Sequence, residues 1–130
     1  RTLAAGKEMA CPSDQISSPS YGPDVARAAV ALAEQRRSGV VHVAGPETIG
    51  RVTFARAIAE GFDLDPSLIV GKTTADLGQT APRPLQGGLS TPRLDAWLPG
   101  ALRPLPESLA DFRLRLDAAE GWADPFKPAA

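Results

Sequence analysis

Gly39-Val40-Val41-His42-Val43-Ala44-Gly45 is the stretch on which the reading of the fold turns. Val40, Val41 and Val43 are β-branched, and their stiff χ1 angles favour extended backbone. The run is short and bounded on both sides by glycine, which suits a strand better than a helix. Little polar character interrupts it, so it reads as a buried strand with helices on both faces. Strand alternation sets His42 opposite Val41 and Val43. A lone histidine there is a hydrogen-bonded core residue more often than a proton shuttle, and that is the expectation.

Helical patterns flank this strand. Pro23 opens a helix where its missing N–H costs nothing, and the helix runs to about Gln35. Its expected inner face holds Val25, Ala29, Leu32 and Ala33. A second helix starts near Thr48 to Arg51, with Val52, Ala55, Ile58, Ala59 and Phe62 at helical spacing. Glu8 to Cys11 is a short extended candidate ended by Pro12, and Ser13 to Pro23 is loop-like. Leu68-Ile69-Val70 suits a brief strand, and Thr74 to Leu77 one helical turn. Ala81-Pro82-Arg83-Pro84 must be extended, because each proline disfavours helix in the residue before it. Thr91 to Leu98 reads as a short helix with Thr91 as cap and Pro92 first. Pro106 to Ala119 is the last helix, with Leu109, Phe112 and Leu116 inward.

The expected class is therefore α/β, mostly helical with two or three short strands. So few strands cannot make a doubly wound sheet of their own, and they read as parts of a larger one. Residues 1–123 form one segment and residues 124–130, with two prolines, a frayed tail. The chain opens on Arg1 and passes at once into Leu3-Ala4-Ala5-Gly6, which reads as a helix end with a glycine stop. That start suggests a fragment. Unpaired sheet edges lead to the expectation of marginal stability in isolation.

The 130 residues carry a net charge of −1, which gives no reason to expect a nucleic-acid or membrane partner. One cysteine, Cys11, excludes an internal disulfide, and one histidine beside it makes no metal-ligand set. No stretch approaches the roughly 20 apolar residues of a membrane span, and no signal-peptide pattern opens the chain. A cytoplasmic location is the default.

Four segments in order carry a family resemblance. They are Asp14-Gln15-Ile16-Ser17-Ser18-Pro19-Ser20-Tyr21 with Asp24-Val25-Ala26, then Gly39 to Gly45, then Phe54-Ala55-Arg56-Ala57-Ile58, and last Arg83-Pro84 with Leu89 and Arg93-Leu94. Together they resemble the later half of the dTDP-4-dehydrorhamnose reductases, members of the extended short-chain dehydrogenase/reductase superfamily. The resemblance covers nearly the whole chain. It departs from the pattern at Ser20 (usually Thr), Val41 (usually Tyr), Gly50 (often Ser) and Gln86-Gly87-Gly88, where an Asn-Ser pair is usual. These departures leave the sugar open.

The resemblance implies a C-terminal portion of a Rossmann-type fold that closes over a nucleotide-sugar, here a dTDP-deoxysugar. It also implies NADPH or NADH bound by a Rossmann half that precedes this segment. By resemblance, Arg83 reaches the substrate diphosphate. The residue chemistry agrees, because a planar, permanently charged guanidinium on a stiff segment between prolines suits a diphosphate. Gln15, Ser17 and Ser18 lie in a polar loop where they either contact substrate or satisfy turn backbone. Asp14 is expected to order that loop, since it would repel an anion. Arg51 opens a helix, an unfavourable end for a cation unless an anion joins it. Gly45 to Gly50 lacks a phosphate-loop pattern and reads as a turn near the pocket.

No catalytic residue is expected here. The superfamily uses a Tyr with a Lys four residues on, whereas Val25 follows the only tyrosine, Tyr21, at that spacing. No glycine cluster fits a dinucleotide turn, so no cofactor is expected to bind this chain alone. A packing or loop hydrogen-bond role is expected for Tyr21. Two other readings stay open: part of an epimerase or dehydratase acting on a nucleotide-sugar, and a non-catalytic scaffold or partner subunit. An oligomer is compatible with each.

Overall fold

The computed structural model describes residues 1–118. In chain order the elements are β1 (Met9–Pro12), β2 (Ile16–Ser17), α1 (Gly22–Glu34), β3 (Ile49–Gly50), α2 (Arg51–Gly61), β4 (Ile69–Lys72), β5 (Gln86–Gly87), α3 (Pro92–Trp97) and α4 (Leu105–Ala118). Single 3₁₀ turns lie at Leu3–Ala5 and Pro66–Leu68. Gly6, in the left-handed region at φ 66°, closes the first of these. The class is α/β as expected, with five short strands rather than two or three. The additional ones have two residues each, too short for any periodicity to reveal. The expected tail at 124–130 and the helix end at Ala119 lie outside the described residues. No helix among the described residues is long and apolar enough to cross a membrane.

Two small sheets organise the chain. In the first, β1 and β4 pair in parallel, with Met9 opposite Ile69 and Cys11 opposite Gly71. Helix α2 covers this pair, and Cys11, Ala59 and Ile69 form the core between them. In the second sheet the order is β3-β2-β5, with β2 antiparallel to β3 and parallel to β5. A separate core joins α1, α3 and the segment after α3 through Ala28, Leu32, Leu94 and Leu102.

The valine-rich stretch overturns one expectation. Val40–Ala44 keeps the alternation of a strand: Val41 and Val43 pack on the α1–α3 core while Val40 and His42 face out. It joins no sheet ladder among the described residues, and Val40 is 76% exposed. Arg93 holds it by donating from Nη1 to the Val40 carbonyl at 2.7 Å. His42 is exposed rather than a core residue, with Nδ1 3.3 Å from the Ser90 carbonyl. β-branching favours an extended backbone but does not supply a neighbouring strand.

Smaller corrections have similar causes. Helix α1 buries Ala28 and Leu32 and leaves Ala29 and Ala33 exposed. Its alanine-rich sequence carries more than one apolar stripe, so periodicity alone does not select the inner one. The Thr91 side chain makes no cap bond; its hydroxyl donates to Asp95 at 3.2 Å. Phe112 packs against Phe62 yet stays 38% exposed.

A buried carboxylate joins the two ends of the fold. Asp24 lies in the first turn of α1 with its side chain fully buried. It accepts hydrogen bonds from the Arg103 backbone N–H at 3.0 Å and from Arg103 Nη2 at 2.8 Å, and it also pairs with Arg27. Arg103 reaches on to Asp111 at 3.3 Å, and Tyr21 donates to Asp111 at 2.8 Å. The hydrogen bonds from Arg103 hold the Asp24 carboxyl below the usual carboxylate range. Arg115, then Arg103 and Tyr21, hold Asp111 well below it.

Asp24→Ala is expected to cost about 3 kcal/mol, the low end for breaking a buried pair because the Arg103 side chain keeps 27% exposure. A fall in the urea midpoint checks it. Both carboxylates have lowered folded pKa values, so their stabilisation is complete above about pH 4 and is lost as pH falls through the folded values. The thermal midpoint of wild type is therefore expected to drop steeply below pH 4. The Asp24→Asn variant is expected to show a shallower drop.

Candidate functional site

The sheet β3-β2-β5 gathers residues from three distant parts of the sequence. Asp14, just before β2, accepts from the Thr74 backbone N–H at 3.0 Å and from the Thr74 hydroxyl at 2.7 Å. These bonds lower its pKa, and they make Asp14 an organiser of the loop, as expected. Gln15 is 8% exposed; its Nε2 donates to Thr74 Oγ1 at 2.9 Å, and its carbonyl accepts from Arg51 N–H at 3.0 Å. The side chain of Gln15 is thus engaged inside the fold.

Ser17 lies in β2 between Ile49 of β3 and Gly87 of β5. Ser18 follows it, with Oγ 3.1 Å from Thr48 Oγ1 and accepting from Leu89 N–H at 3.1 Å. Ile16 opposite both Gly50 and Gln86 sets Arg51, Gln15 and Leu85 side by side at one end of the sheet. At strand spacing, the Arg51 and Leu85 backbones stand on the order of 10 Å apart. Arg83 precedes Leu85 in the extended Ala81–Pro84 segment. The guanidinium groups of Arg51 and Arg83 are exposed and have no acidic or hydrogen-bond partner among the described residues. The register thus brings Arg51 and the segment that carries Arg83 toward the same end of the sheet, with Ser17 and Ser18 continuing the strand between them.

Sequence reasoning missed Thr74 and Thr48, which hold Asp14 and Ser18. Nothing local marks them, since each bond joins residues far apart in the chain. It did register Gln86-Gly87-Gly88 as a departure, and the structure supplies a physical reason. A methyl group on Gly88, just past β5, would stand 2.5 Å from Thr48 Cγ2, so any side chain there would have to push the Thr48 side chain aside. At Gly45 the same group would lie 1.9 Å from the Pro19 carbonyl oxygen.

The Tyr21 hydroxyl is committed to Asp111, and burial and that carboxylate raise its pKa. Val25 stands four residues on. No group of three or more His, Cys, Asp or Glu among the described residues could hold a metal ion.

Residues 1–117 match the family model described as RmlD substrate binding domain, and the chain belongs to that family. It is 35% identical over 107 residues to dTDP-4-dehydrorhamnose reductase of Mycobacterium tuberculosis, covering 81% of this chain and 34% of that protein. It is 32% identical over 118 residues to the probable low-salt glycan biosynthesis reductase Agl14 of Haloferax volcanii, covering 91% of this chain and 38% of that protein. The chain therefore spans little more than a third of these relatives. Its fold is shared with the dTDP-4-dehydrorhamnose reductase of Bacillus anthracis, solved in complex with NADP. The TM-score is 0.77 at 23% identity, over 87% of this chain and 40% of that one.

Gly45→Ala is expected to push the Pro19 segment away and cost about 2 kcal/mol, an overpacking effect. Denaturant midpoints check it, with Gly22→Ala as control because nothing lies within 4 Å of a methyl group there.

Proposed function

We propose that this chain is the nucleotide-sugar-binding part of an NAD(P)H-dependent dTDP-4-keto-sugar reductase and is not catalytic alone. The observation that carries this reading is that Arg51 and Arg83, both exposed and without an acidic or hydrogen-bond partner among the described residues, lie on segments that the β3-β2-β5 sheet brings toward one end. Family membership and the reductase names of its relatives support it. A diphosphate offers the charge and the oxygen array that two arginines recognise best. Ser17 and Ser18 are the neighbouring hydroxyls from which sugar or base contacts are expected, while Gln15 and Asp14 keep the ledge in place. Asp14 shares its charge with Thr74 donors, which reduces its repulsion of an anion.

In this reading the chain supplies orientation. Binding energy from the diphosphate fixes the sugar where groups elsewhere in the parent act on it. NADPH or NADH belongs to that other part, in keeping with the NADP complex of the Bacillus anthracis reductase. The open edge at Val40–Ala44 supports a further sheet as partner.

Titration calorimetry of the full chain with dTDP, using UDP and NADPH as controls, tests the proposal. Saturable binding of dTDP is expected, with about ten-fold weaker binding in Arg83→Ala, a smaller loss in Arg51→Ala and no heat from NADPH. A folded chain that ignores dTDP, or an Arg83→Ala variant with unchanged affinity, would sink this assignment of the diphosphate site.

A further inference from the structure

A cavity of about 210 Å³ lies between α2, α4 and the Pro19-Ser20-Tyr21 segment, apart from the Arg51–Arg83 end of the sheet. Phe54 and Ile58 line it from α2, Phe62 from the residue just past α2, and Leu105, Leu109 and Phe112 from α4. Phe62 and Phe112 meet edge to face, with ring centroids 5.4 Å apart.

The polar groups at its rim are engaged with the protein. Ser20 Oγ donates to the Ser18 carbonyl at 3.1 Å and accepts from Gly45 N–H at 3.0 Å. The Tyr21 hydroxyl is bound to Asp111, and the Arg103 guanidinium is bound to Asp24 and Asp111. Ser108 Oγ donates to the Arg103 carbonyl at 3.3 Å. A charged or strongly polar ligand would lose its hydration there and gain few hydrogen bonds in exchange. An apolar ligand faces no such cost. An apolar protein cavity of about 150 Å³ holds benzene, so this one has room for one substituted ring and little more.

We propose that this cavity is a binding site for an uncharged, single-ring apolar molecule. It is separate from the nucleotide-sugar site and stands behind the Ser17–Ser18 ledge, since Pro19 continues from Ser18 into its wall. The occupant gains contact with the six apolar side chains and leaves the rim network intact.

Toluene is the probe, titrated into the full 130-residue chain with labelled methyl groups and followed by NMR. Saturable shifts centred on Ile58, Leu105 and Leu109 are expected, together with a higher thermal midpoint, because a ligand that binds only the folded state stabilises it. The shifts are expected to persist in Arg83→Ala and in the presence of dTDP, which separates this site from the diphosphate site. Ile58→Phe fills the cavity and is expected to weaken toluene binding at least about ten-fold. Leu114→Ala, on an exposed position of α4, leaves it unchanged. Absent or non-saturating shifts, shifts centred elsewhere, or a folded Ile58→Phe chain that binds as tightly as wild type would each overturn the proposal. If Ile58→Phe does not fold, the location of the wild-type shifts decides.

Discussion

The buried carboxylate of Asp24 is the constraint around which the chain is arranged. A desolvated charge is tolerable only if it is paired and hydrogen-bonded. Asp24 meets that condition by taking both backbone and side-chain donors from Arg103. Its place in the first turn of α1 adds the favourable end of the helix dipole. Satisfying it requires the lead-in to α4 to lie against the start of α1. Arg103 then carries Asp111, Asp111 carries the Tyr21 hydroxyl, and the guanidinium sits 5.3 Å from the Tyr21 ring centroid. The ledge that leads into Tyr21 is thereby tied to the last helix.

Much of this was legible in the residues, and the failures share a pattern. The bounds of α1, α2 and α3 follow from prolines, glycines and apolar spacing, which are local signals. The loop-ordering role of Asp14 followed from charge alone, although its partner Thr74 did not. Strands β2, β3 and β5 escaped detection because a two-residue strand is defined by its neighbours. The choice between Ala28 and Ala29 as the inner residue of α1 depends on where α3 sits. Val40–Ala44 shows the same limit from the other side, with a strong local preference and no partner in the described sheets.

The site has a comparable logic. Sequence placed Gln15, Ser17, Ser18, Arg51 and Arg83 on separate segments, and the small sheet brings those segments together. It also sorts them. Gln15 turns inward to Thr74, Ser18 is bonded to neighbours on both sides, and the two arginines remain open. This arrangement is assembled by backbone register, with Gly88, just past β5, lying close against the Thr48 side chain.

The open valine edge has a further consequence for the life of the chain before it meets any partner. Val-Val-His-Val-Ala is uncharged apart from the histidine when protonated, free of proline and rich in β-branched side chains, the composition that seeds intermolecular cross-β stacking. Arg36 and Arg37 lie immediately upstream, and Arg93 is bonded to the Val40 carbonyl. Charges in those places act as gatekeepers, making stacking of like edges electrostatically costly. Arg37 and Arg93, which also stack on the Trp97 ring, can together with Arg36 thus keep crowded, newly made chains apart.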